Sequence, residues 1–238
     1  MPRHLTPKEL EAAARLRAHI ARTEVRLTRA GAKALKSVED AVSALAGTYG
    51  IAAAIAGAKA AASSSLVRAR DEITEGLDVR SVGQTATLGV ITATADAMPP
   101  AGADRATYFV ATSADAYAAR VAAMAASGVD PAQAIRAAGS LATVERHRML
   151  RWATWEASFI VNAAGYGYAR RFGGPGWFKI LVATFDNVTG TDSLFVHLQE
   201  RPIDRPFEDN RGHLYQHPPN RPWDREVVLF EPRAETSP

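Results

Sequence analysis

Residues 173–185 read Gly-Gly-Pro-Gly-Trp-Phe-Lys-Ile-Leu-Val-Ala-Thr-Phe, and the character of the chain changes across them. The glycines and the proline stop a helix, while Arg170-Arg171 just before them put positive charge where a helix C-terminus favours it. The nine residues Trp177 to Phe185 then read as a strand. Upstream of this stretch the chain is rich in alanine; downstream, alanine gives way to Pro, Asp, Arg and His.

Working upstream, every strong signal is helical. Thr6-Pro7-Lys8-Glu9 is a start signal, with Thr6 as cap, Pro7 at the first helical position and Glu9 closing a capping box. Leu35, Val38, Val42 and Leu45 then form an apolar seam that carries the helix to about Ala46. Gly47 to Gly50 interrupts it. A second helix is expected from Ile51 to Gly76, and Val79 to Met98 is assigned to helix although strand fits its periodicity as well. Pro99-Pro100-Ala101-Gly102 is a break. A further helix follows from Asp104 to Ser127. Asp130-Pro131 opens a short one, and a long one runs from Leu141 to Arg171. On the last, Trp152, Trp155, Phe159 and Tyr166 share a face and read as a packing seam, while Ala163, Ala164, Gly165 and Gly167 point to close approach of another backbone.

Working downstream, Thr191 to Gln199 reads as a short helix, Asp209-Asn210-Arg211-Gly212 as a turn, and Glu226 to Phe230 as a final strand placed to pair with Ile180–Phe185. The fold class that follows is α+β and mainly α, with long N-terminal helices followed by a small C-terminal strand-and-turn module. The division is set at a helical region, 1–140, and a long helix plus module, 141–238. There is no internal repeat.

Composition narrows the chemistry. Residues AVILMFWYC make up 47% of the chain, enough for a core, though much of that is alanine, which builds helices better than it fills cores. No apolar run is long enough to span a bilayer, and Met-Pro-Arg-His-Leu lacks the apolar core of a signal peptide, so a cytoplasmic origin is expected. With no cysteine there is no disulfide, thiolate metal site or thiol nucleophile. A net charge of +3 is too small an excess for a dedicated nucleic-acid binder.

Two sets of residues stand out. Arg15, Arg22, Arg26, Arg29, Lys33 and Lys36 follow steps of seven, four, three, four and three, which puts six cations on one helix face. That face suits an anionic partner; the alternative is a solvated face partly neutralised by Glu24 and Glu39. His197, His213 and His217, with Asp186, Asp192 and Asp209 nearby, are the residue types that hold zinc, but they lack a tight ligand spacing. Gly-x-Ser-x-Gly and the phosphate-binding Gly-x-x-x-x-Gly-Lys-Ser/Thr loop are both absent.

The string Trp177…Ala183-Thr184-Phe185-Asp186-Asn187-Val188-Thr189…His197…Pro206-Phe207…His217-Pro218-Pro219-Asn220…Glu226-Val227-Val228-Leu229 resembles the C-terminal part of the phage head-morphogenesis proteins, the family of the phage Mu F minor capsid protein. That family shows a helix carrying Glu and Asn, a Trp-x-Ala-Thr-x-Asp-x-x-Thr strand and turn, a loop with His and Pro-Phe, then His-Pro-x-Cys-Arg-Cys and a last strand. Glu156 and Asn162 match the helix positions; Asp186 and Thr189 match the turn. The match runs from Trp155 to Phe230, about a third of the chain. Where many family members have paired cysteines, this chain has Gly190 and Ser193, and Arg221-Pro222. The module therefore has to be held by packing and turn chemistry.

The resemblance implies a minor capsid or head-morphogenesis protein acting in procapsid assembly and associated with the portal. It implies no enzyme activity, no cofactor and no membrane partner. Its partners would be portal or major capsid protein, with packaged DNA at the basic helix face, and its location the virion, reached from the host cytoplasm. Asp186 is expected to close an Asx-type turn, Thr189 to cap the next helix, and His217-Pro218-Pro219 to set a stiff approach to the last strand. Two other functions stay open: a helical adaptor or nucleic-acid-associated structural protein using the basic face, and a His/Asp metal-dependent hydrolase.

Overall fold

The computed structural model describes residues 3–87, 103–174, 176–185, 189–219 and 223–232. The element order is α1 (Pro7–Tyr49), α2 (Ile51–Glu75), α3 (Val79–Ala86), α4 (Ala103–Ala126), α5 (Pro131–Ala137), α6 (Leu141–Val144), α7 (Arg146–Phe172), β1 (Trp177–Val182), α8 (Thr191–Val196), β2 (Glu200–Pro202), β3 (Phe207–Glu208), β4 (Leu214–Tyr215) and β5 (Val227–Pro232). The fold is α+β and mainly α. By contact the chain divides differently from the expected cut at residue 140. One compact unit comprises Met1–Glu24, Glu75–Ala101 and Thr154–Pro238; the other comprises Val25–Thr74 and Gly102–Ala153. Both α1 and α7 contribute residues to each unit, which no boundary drawn in a loop can capture.

The second unit is all helix among its described residues. Leu35, Val38 and Val42 of α1 are buried, as the seam predicts, and Leu27 is buried with them, but Leu45 is exposed. They share the core with Ile55 and Leu66 of α2, Phe109, Val110, Tyr117 and Val121 of α4, and Leu141. Phe109 stacks flat on Trp152, with ring centroids 5.2 Å apart. Asp130 caps α5 by accepting from the Gln133 N–H at 3.1 Å, with Pro131 at the first helical position. The single helix expected over 141–171 is broken at Glu145, whose φ of −92° and ψ of 14° end α6. The Glu145 carboxylate is buried and held by Arg120 of α4 at 3.0 Å and by Arg148 at 3.1 Å.

The first unit opens with the expected capping box. The Glu9 N–H donates to Thr6 Oγ1 at 3.3 Å, and the Thr6 N–H donates to Glu9 Oε2 at 2.6 Å. Arg3 ties this start to the sheet, reaching Glu9, Glu200 at 2.5 Å and Glu231 at 3.2 Å. Burial alone would raise the Glu9 carboxyl, but the Thr6 bonds and the Arg3 charge outweigh it and hold it below the usual carboxylate range.

The sheet has the order β2-β1-β5, antiparallel throughout. β1 pairs with β5 from Trp177↔Pro232 to Val182↔Val227. The strand ends at Val182, short of Phe185, because Ala183 leaves the ladder: its N–H donates to His197 Nδ1 at 3.2 Å and its carbonyl accepts from Arg17 at 2.9 Å. β3 and β4 form a separate two-stranded hairpin. Helix α3 ends at Ala86, and Thr87 bridges to Phe230 of β5; residues 88–98 of the expected helix lie outside the described residues.

The small residues of α7 let α3 and β5 come close. A Cβ on Gly165 would lie 2.9 Å from Ala86 Cβ and 3.6 Å from the Phe230 ring, and one on Gly83 would lie 2.3 Å from the Tyr168 ring. The approaching backbone is the chain's own. The aromatic face of α7 divides: Trp152 is buried, whereas Trp155, Phe159 and Tyr166 are half-buried. In this unit the buried side of α7 is built from Ala157, Ile160, Val161, Ala163, Ala164, Tyr168 and Ala169. Alanine does fill this core, because short side chains permit the short inter-element distances.

Candidate functional site: the C-terminal module

The module is organised by two side chains, one on α7 and one on β1. Asn162 on α7 is buried, and its amide is fully used. Nδ2 donates to the Glu226 carbonyl at 2.9 Å and to the Ser158 carbonyl at 3.0 Å, while Oδ1 accepts from the Val228 N–H at 3.2 Å. One helical side chain thus bonds the backbone on both sides of Val227 and fixes where β5 begins. Glu156, the other helix position of the motif, is fully buried on α7.

The second organiser is Lys179, which sequence reasoning missed. It sits on the central strand and is completely buried. Its Nζ donates to the Gln216 carbonyl at 2.8 Å and to Gln216 Oε1 at 2.7 Å. It also lies 4.7 Å from the centroid of Phe207 and 5.1 Å from that of Tyr166. The Tyr166 hydroxyl donates to the same Gln216 Oε1 at 3.2 Å. Burial lowers the Lys179 amine to about 7; the Asp204 charge opposes this and the Arg170 charge adds to it. The signal was present in the sequence: a lone cation inside Trp-Phe-Lys-Ile-Leu-Val, on a strand reading as buried, needs a built polar site.

The remaining motif residues are structural. Trp177 is buried at the start of β1, and its carbonyl accepts from the Ile203 N–H at 3.0 Å. Phe207 is fully buried under Lys179. The Thr189 hydroxyl donates to the Thr184 carbonyl, so it fixes the loop after β1 and does not cap α8; the N-cap is Gly190, with no side-chain bond. Asp186 and Asn220 lie outside the described residues, so the expected turn at Asp186 is not placed. The same chemistry is present at Asp209, where Oδ1 accepts from the Arg211 N–H at 2.8 Å and the His213 N–H at 2.9 Å. Burial would raise that carboxyl; the His213 and Arg211 bonds outweigh burial and lower it.

The three histidines are not brought together. His197 Nδ1 accepts from Ala183, and the ring sits edge-on to Phe185, 4.5 Å between centroids. Burial, followed by the Arg17 charge, lowers its pKa. His213 Nδ1 lies 2.8 Å from Asp209 Oδ2. His217 Nδ1 lies 2.8 Å from the Pro218 carbonyl, and its ring packs against Phe159 and Tyr166. Among the described residues no group of three or more His, Asp or Glu side chains is arranged to hold a metal ion. Likewise no helix among them is long and apolar enough to cross a membrane.

All six stripe residues of α1 are exposed. Ion pairs neutralise only its two ends, Arg15 with Glu11 and Lys36 with Asp40, and Arg22 lies 3.1 Å from His19 Nδ1. The expected compensation is partial: the Asp40 bond and charge, joined by the Glu39 charge, raise the Lys36 amine, while Glu24 pairs with Arg225. Glu24 accepts from Thr154 Oγ1 at 2.9 Å and from Arg225 at 3.2 Å, and Glu39 accepts from the Leu141 N–H at 3.1 Å.

Compared with known proteins, the chain matches no family model, no curated protein and no solved structure.

Proposed function

We propose that this chain is a phage minor capsid or head-morphogenesis protein that acts in procapsid assembly at the portal. One observation carries the proposal. Glu156 and Asn162 on a helix, Trp177 opening a strand, Thr189, His197, the buried Phe207, His217-Pro218 and a closing strand follow one another in the order of the motif residues of the Mu F-like family. Asn162 of that helix bonds the start of the closing strand, which gives a physical reason for keeping the two together.

The missing cysteines are a departure from that family's pattern. The β3–β4 hairpin is held by Lys179 on Gln216 and Phe207, by Gln199, and by Asp209. The Gln199 side chain bonds the Glu208 backbone at both N–H and carbonyl. The module is then a rigid docking element with no turnover to perform.

The test is co-expression of the tagged chain with the portal protein of the phage or prophage that encodes it. Recovery of a stable portal complex that survives size exclusion supports the proposal. A folded chain that leaves the portal protein in the flow-through, at micromolar concentrations of both, counts against it.

A further inference from the structure

We infer that the α1 face carrying Arg26, Arg29, Lys33 and Lys36 is a sequence-independent contact for the phosphate backbone of a nucleic acid. The inference uses the all-helical unit alone and does not depend on the capsid proposal.

Three observations carry it. The first is the distribution of charge. The unit Val25–Thr74 with Gly102–Ala153 holds thirteen Lys and Arg against eight Asp and Glu, whereas the rest of the chain holds fifteen against seventeen. A weakly basic whole therefore conceals one clearly basic unit, and the composition of the full chain hides the electrostatic footprint. The second is the lack of neutralisation. Arg26, Arg29 and Lys33 are exposed, and their side chains make no ion pair or hydrogen bond among the described residues. Only Lys36 has an acidic partner, Asp40.

The third is what the face lacks. Between Arg26 and Lys36 the other exposed and half-exposed positions hold Thr28, Ala30 and Ala32, and the large aliphatic at the edge of the face is Val25, which is exposed. Beyond Val25 the stretch offers little apolar surface for the core of a protein interface, so charge dominates what it can contact. A row of cations on a straight helix, ~1.5 Å of rise per residue, suits the regular charge of a nucleic-acid backbone. It carries no Asn or Gln to read adenine edges, and its Arg and Lys side chains bond phosphate oxygens, the contact that carries no sequence information.

The experiment is a fluorescence-anisotropy titration of a labelled duplex of random sequence with the full chain, repeated over a series of salt concentrations. Neutralising four phosphates should give a log–log slope near −3.6, at about 0.9 per contact, and a second duplex of unrelated sequence should bind equally. The variant Arg29→Gln/Lys33→Gln alters exposed side chains, and its helical circular dichroism should be unchanged; its slope should shrink by roughly two. Arg136→Gln, a separate exposed cation of the same unit, should behave like the unaltered chain. A slope shallower than about −1, a double variant that binds as the unaltered chain does, or equal competition by polyglutamate overturns the inference. A chain that binds DNA but never enters particles would sink the capsid proposal and leave this inference standing; a particle protein with no affinity for DNA would do the reverse.

Discussion

Asn162 and Lys179 show how much a single buried polar residue can fix. Removing the Asn162 amide strands the Glu226 carbonyl and the Val228 N–H inside the protein, where each unsatisfied group costs about 1–3 kcal/mol. Asn162→Ala is therefore expected to lower stability by roughly 2–4 kcal/mol. Chemical denaturation checks this: a midpoint within error of the unaltered protein would mean that the clamp does not hold β5. For Lys179 the folded pKa lies below its value of about 10.4 in an unfolded chain. Between pH 7 and about 10 the unfolded chain binds more protons, so the lysine's contribution to stability rises with pH across that window and is flat below it. Melting curves at pH 7 and pH 9 should show the unaltered protein gaining on Lys179→Met. Parallel pH dependence of the two proteins would contradict a buried amine titrating near neutrality. Neither residue's partners were legible beforehand, since Gln216 and Glu226 are 37 and 64 residues away in sequence.

Secondary structure was legible where its cause is local. The starts of α1 and α5 follow from Thr6-Pro7-Glu9 and Asp130-Pro131, and the pairing of β1 with β5 follows from two apolar runs in a polar surround. What was missed has a distant cause. The one-residue interruption of the helix expected over 141–171 falls at Glu145, whose carboxylate meets Arg120 of α4, 25 residues away in sequence. β3 and β4 are two residues each, too short for any periodicity to register. The Gly165–Ala86 contact offers a test at this scale. Gly165→Ala should destabilise by about 1–3 kcal/mol through overpacking, and Ala86→Gly in the same chain should recover part of that loss. A double variant no more stable than Gly165→Ala alone would mean that α3 and α7 do not meet at this point.

At the scale of the whole molecule, sequence reading found the module but not the division of the chain. The cut by contact runs through α1 and α7, and a continuous helix carries no mark of where its neighbours change. The division matters for charge, because a net +3 averages a basic unit with a slightly acidic one. The central claim is that the chain is a minor component of a phage head. Its most direct test is quantitative mass spectrometry of procapsids purified from cells that express the head genes with this chain. The expected result is that the chain co-sediments with procapsids at a small fraction of the major capsid protein. Normal procapsids from which the folded chain is absent would contradict the claim.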